Sequence, residues 1–68
     1  MPTVVETQKL LTHLGYDPGP DDGYLTPRTR LAIGAWQRDN GLTENGRMTR
    51  GLVDGLRYAV QGLRRAAR

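Results

Sequence analysis

The chain contains no cysteine, no serine, no phenylalanine and only one histidine. Without cysteine there is no disulfide and no cysteine-ligated metal to staple a small fold, and the compartment is left open. Without serine or cysteine, two of the usual nucleophiles are gone. One histidine, His13, cannot build a His-rich zinc site, and near the end of a helix it reads as structural. No apolar run approaches the roughly 20 residues of a membrane span. Met1-Pro2-Thr3 has neither the basic nor the apolar region of a signal peptide. The expectation is a protein that stays inside the cell or a domain from a longer chain. At 68 residues it is one domain at most, and a core that small rarely supplies more than about 3–5 kcal/mol net.

What the chain does have is arginine. Net charge is +3, and arginine outnumbers lysine nine to one. Arg64, Arg65 and Arg68 concentrate the excess at the C-terminus. Such an end suits an anionic polymer, a nucleic acid or a membrane surface, or it simply offsets a helix macrodipole. No recognition helix stands out, so nucleic acid is set aside as a partner. The acids Asp17, Asp21 and Asp22 gather in one Pro/Gly loop. Asp21 and Asp22 are adjacent, which is poor geometry for flanking a glycosidic bond. The three lack the alternating ligand spacing and terminal Glu of a calcium loop. The reading is a non-enzyme with no metal and no cofactor.

Three helical patterns follow one another. Thr3-Val4-Val5-Glu6 fits a capping box, with Glu6 reaching back to Thr3. Val4, Leu11 and Leu14, flanked by Val5 and Leu10, give a stripe of helical period, and Gly15 is placed to end that helix in the left-handed region. Thr26-Pro27 opens a second helix. Ile33 and Trp36 share its core face, with Leu31, Ala32 and Ala35 nearby, and Asn40-Gly41 ends it. Gly34 inside this helix costs about 1 kcal/mol relative to Ala. Close approach by another backbone or a ligand would explain it, and so would simple tolerance. Asn45-Gly46 marks a turn. Thr49 then caps a long third helix, roughly 50–66, with Leu52, Leu56, Ala59 or Val60, Leu63 and Ala66 or Ala67 down one side. Gly51 and Gly55 leave a flat patch on it. Tyr24-Leu25 is a weak signal for a brief extended contact. The fold class is all-α: a compact three-helix domain with a long rigid Pro/Gly loop between helices 1 and 2 and an extended C-terminal helix.

These motifs fall in a familiar order. The run Leu11-x-x-Leu14-Gly15-Tyr16-Asp17-Pro18-Gly19-Pro20-Asp21-Asp22-Gly23, then Thr26 to Leu42 with its Pro27-x-Thr29, Ala32-Ile33, Trp36-Gln37 and Gly41-Leu42, then Asn45 to Thr49, resembles the three-helix peptidoglycan-binding domain of bacterial and phage cell-wall hydrolases and envelope proteins. The resemblance covers about residues 4–56. This chain departs from it in carrying Thr26 where members commonly have Gly, Thr7-Gln8 where many have Leu-Gln, and a shortened second turn. The helix beyond Leu56 exceeds the usual module. The sequence therefore divides into a binding-like domain over 1–57 and a basic extension over 58–68.

The resemblance implies a non-catalytic module that targets an attached or associated activity to peptidoglycan, through the glycan strand or the stem peptide. It implies a place in the cell envelope, periplasm or wall if the parent protein is exported or released by phage. The alternative is a docking domain on the same fold, with a protein partner or self-association through helix 3. The candidate ligand surface is the first loop and the start of helix 2: Tyr16, Asp17, Asp21, Tyr24, Arg28 and Arg30. The aromatics offer flat area with a polar handle, the acids can meet amines or hydroxyls, and the arginines a carboxylate. Each also has a structural reading, Tyr16 as a core plug and Arg28 and Arg30 as solvated. Gly15, Pro18, Gly19, Pro20, Asp22, Gly23, Pro27, Thr29, Trp36, Gln37 and Gly41 read as scaffold. Asp22 is a turn-former, Trp36 a core residue, and Gln37 is placed to satisfy loop backbone groups.

Overall fold

The computed structural model describes residues 3–66 and contains three helices, α1 (Thr3–His13), α2 (Pro27–Asp39) and α3 (Arg50–Ala66). Ala67 and Arg68, part of the expected stripe and basic end, lie outside the described residues. The architecture is all-α, as expected, and no strand forms among the described residues, so Tyr24-Leu25 is irregular.

Local chemistry sets the helix ends. After α1, Gly15 takes φ +90°. The Tyr16 N–H donates to the Leu11 carbonyl (2.9 Å) and the Gly15 N–H to the Thr12 carbonyl (3.0 Å), a Schellman closure. Gly41 repeats the device after α2 at φ +70°, with Leu42 N–H donating to Gln37 and Gly41 N–H to Arg38. At the other end of α2 the Thr26 hydroxyl accepts the Thr29 N–H, and Pro27 fills the first helical position. Thr49 caps α3, its hydroxyl accepting the Leu52 N–H at 3.1 Å.

α1 begins at Thr3, as expected, but the capping box does not form. Thr3 is already helical, and Glu6 does not cap it. Its carboxylate instead accepts both Nε–H (2.6 Å) and Nη2–H (2.7 Å) of Arg57 on α3. Two parallel charge-assisted bonds outcompete the single backbone N–H of a capping box.

One residue from each helix sits fully buried at the centre: Leu11, Ile33 and Leu56. Ala32, Trp36 and Leu52 complete the buried cluster, and Leu10, Leu14, Tyr16, Leu25, Met48 and Ala59 pack around it. The patch left by Gly55 has a specific use. A Cβ there would lie 3.0 Å from the tip of the Trp36 indole, so glycine admits the ring to the α3 backbone. Three details differ from the sequence reading. Leu31 is 75% exposed and faces away from the core. On α3, Val60 is buried as expected, but Val53 is buried with it, and Leu63, expected on the same side, is 51% exposed because the bundle does not extend over it. Gly34 is approached by the Glu44 side chain, whose Cγ would lie 3.3 Å from a Cβ, and not by another backbone.

Candidate functional site

The first loop is held from both sides by buried polar side chains. From α1, Gln8 is 1% exposed. Its Oε1 accepts the Gly23 N–H (3.1 Å), and its Nε2 donates to the Tyr24 carbonyl (2.9 Å) and to Thr29 Oγ1 (3.1 Å). From α2, the buried Thr29 hydroxyl donates to the Pro18 carbonyl at 2.8 Å. The loop carbonyls and N–H groups that would otherwise be unpaired are thus satisfied by two helices. The second loop uses the same device. Gln37 Oε1 accepts the N–H groups of Asn45 (3.0 Å) and Gly46 (2.9 Å), while its Nε2 donates to Asn45 Oδ1 (3.0 Å). The loop-satisfying role expected of Gln37 is therefore present, and sequence reasoning missed its counterpart, Gln8.

Within the loop, Asp22 forms the expected turn, its Oδ1 accepting the Tyr24 N–H at 3.0 Å. Asp17 accepts the Gly19 N–H and forms an ion pair with Arg28. The Arg28 guanidinium holds the Asp17 carboxyl below its ordinary range. The Arg28 stem also lies against Gly19, where a Cβ would come within 3.3 Å of Cδ. Tyr16 packs on the core, and its hydroxyl donates to Asp39 Oδ2 (2.5 Å) at the end of α2. That hydrogen bond to a carboxylate pushes the Tyr16 phenol above its ordinary value.

The six candidate ligand residues thus fall into two groups. Tyr16, Asp17 and Arg28 are engaged within the molecule, and the structure brings Asp17 and Arg28 together with each other. Asp21, Tyr24 and Arg30 are exposed, Tyr24 at 71%. Among the described residues, the hydrogen bonds of Tyr24 are all through its backbone, with Gln8, Asp22 and Thr26.

Two concavities flank this scaffold. A notch of about 370 Å³ lies between α1 and the first loop, lined by Lys9, Thr12, His13, Gly19, Pro20 and Asp21. A groove of about 770 Å³ lies away from the loop, between the start of α1 and the start of α3, with Val4, Met48 and Val53 among its lining residues and the Glu6–Arg57 pair on its rim. Among the described residues, no helix is long and apolar enough to cross a membrane.

Localization factor PodJL of Caulobacter vibrioides, in two strains, is 51% identical over 39 residues, which is 57% of this chain and 4% of that protein. The chain therefore spans a small fraction of the relative's length. No solved structure matches it significantly. The peptidoglycan binding domain family matches residues 1–56, which include both braced loops and all three buried central residues. On that match the chain is a member of the peptidoglycan-binding domain family.

Proposed function

We propose that this chain is a non-catalytic module that holds an attached or associated activity on bacterial cell-wall peptidoglycan, in the envelope or wall. The observation that carries this reading is the family match over residues 1–56. The preformed first loop supports it. Gln8, Thr29 and the Asp17–Arg28 pair fix the backbone before any ligand arrives, which lowers the ordering cost of binding. The exposed Tyr24 ring and the Arg30 guanidinium then offer a stacking face and a carboxylate-binding fork. Affinity per site is modest on so small a surface, and retention on a repetitive polymer comes from effective concentration when the module is tethered.

Co-sedimentation with purified sacculi tests this. Folded wild type is expected to deplete from the supernatant, and a Tyr24→Ala, Arg30→Ala double variant to deplete several-fold less. Both residues are exposed, so the fold should survive, and circular dichroism checks it. Wild type that stays in solution would overturn the wall-binding reading. That outcome would favour docking to a protein through α3, for which Tyr58 (75% exposed) and Leu63 (51% exposed) provide apolar surface.

A further inference from the structure

The notch between α1 and the first loop is lined by polar side chains that have no partner among the described residues. Glu6–Arg57, Asp17–Arg28 and Arg38–Glu44 are all paired. Lys9, His13 and Asp21 take part in no ion pair or side-chain hydrogen bond among the described residues, although all three line one concavity. Lys9 and His13 stand one turn apart on the same side of α1. Asp21 faces the notch from the loop, with Pro20 beside it as an apolar wall. Thr12 lies between them in sequence. Its hydroxyl proton goes to the Gln8 carbonyl (2.9 Å), which leaves its lone pairs free to accept.

The loop wall is fixed from behind. Pro18 is bonded to Thr29, Gly19 to Asp17, and the Arg28 stem lies against Gly19. Asp21 on the loop side and Lys9 and His13 on the α1 side thus line one gap without an ion pair between them among the described residues. A ligand that fills such a gap carries the complementary pair, a carboxylate for Lys9 and His13 and an ammonium for Asp21. A short spacing between the two groups suits a notch of about 370 Å³.

We infer that this notch binds the zwitterionic end of a peptidoglycan stem peptide, its free amine on Asp21 and its carboxylate on Lys9 and His13. The inference rests on the wall-binding reading and narrows it from the polymer to the peptide. Glycan strands carry hydroxyls, acetamides and, once stripped of peptide, lactyl carboxylates, but no ammonium, so they leave the Asp21 side of the notch unmatched.

The test is titration of the full chain, followed by amide NMR, with four soluble probes. These are a disaccharide–peptide fragment, the same fragment with its free amine acetylated, a peptide-free glycan oligomer, and free alanine. The fragment is expected to shift the amides of Lys9, Thr12, His13, Gly19 and Asp21. Acetylation, or the variants Asp21→Asn and Lys9→Gln with His13→Gln, should weaken it about three- to tenfold. These side chains are exposed and unbonded, so the variants should remain folded, and the same spectra report that. An acetylated fragment as strong as the free one, or a glycan that shifts the same amides as strongly, would overturn the inference. Free alanine competing as well as the fragment would overturn the stem-peptide assignment in favour of free amino acids. If wild type sediments with sacculi in these cases, wall binding stands by itself. If neither sacculi nor fragment bind, both readings fail together.

Discussion

At the scale of single residues, the buried polar set separates into satisfied and unsatisfied members. Gln8, Thr29 and Gln37 each complete a loop. Thr7 does not. Its side chain is fully buried, and Oγ1 has no hydrogen-bond partner. A hydroxyl removed from water without a compensating bond costs about 1–3 kcal/mol. Valine has nearly the same shape and no hydroxyl, and both residues are β-branched, so helix propensity hardly changes. Thr7→Val is therefore expected to stabilise the domain by about 1 kcal/mol, which raises the melting temperature by about 4–8 °C for a chain of this size. A thermal melt followed by circular dichroism measures it. An unchanged or lower midpoint would show that the hydroxyl is satisfied in solution, for example by water.

At the scale of elements, the glycines show which parts of the chain are constrained and which are merely tolerated. Gly46 has φ +65°, and a Cβ there would lie 2.9 Å from the Arg30 carbonyl oxygen on α2. Gly62 lies inside α3 with an ordinary φ and nothing within 4 Å of a Cβ. Alanine at 62 removes only the backbone entropy of glycine and should stabilise by about 1 kcal/mol. Alanine at 46 meets both the left-handed penalty and a backbone clash, and should destabilise by about 2–4 kcal/mol. Urea midpoints of the two variants are expected on opposite sides of wild type, and midpoints on the same side would refute the contrast. This division also explains what could be read from the sequence. Gly15, Thr26-Pro27, Gly41, Asn45-Gly46 and Thr49 act within a few residues of themselves, so the helix ends and both turns were legible. Trp36, Ile33 and Leu56 were legible by period. Gln8 was not, because its partners Gly23, Tyr24 and Thr29 lie 15 to 21 residues away and a glutamine on a helix reads as surface. The available signal was Gln37, whose use on the second loop is the same chemistry. Of the candidate site, the loop itself was legible. The pairing of Asp17 with Arg28 and of Tyr16 with Asp39 depends on how the loop crosses α2 and was not.

At the scale of the whole molecule, one contact ties the first turn of α1 to the middle of α3 across 51 positions, the bidentate Glu6–Arg57 pair. Hydrogen bonding from Arg57 holds the Glu6 carboxyl below its ordinary range. The folded value is below the unfolded one, so the folded state binds this proton less tightly. The stability it contributes is fully present above the ordinary glutamate value, about 4.3, and is lost as the pH falls through the depressed folded value. Asp17, lowered by Arg28, acts in the same direction. Tyr16 has the opposite sign. Its phenol is raised by Asp39, so its contribution is present below about pH 10 and is lost as the pH rises through the raised value. The acid limb can be isolated with Glu6→Gln, which keeps the shape and one acceptor but removes the charge. At pH 7 the variant should unfold at lower urea than wild type, by a margin that shrinks with added salt because the pair is partly exposed. As the pH falls through the carboxylate range the two curves should converge, since wild type then carries a protonated Glu6 as well. Urea midpoints measured from pH 7 down to about pH 2 follow this directly. Curves that stay parallel would mean that the pair adds no pH-dependent stability, and that apolar packing around Leu11 and Leu56 alone holds α1 on α3.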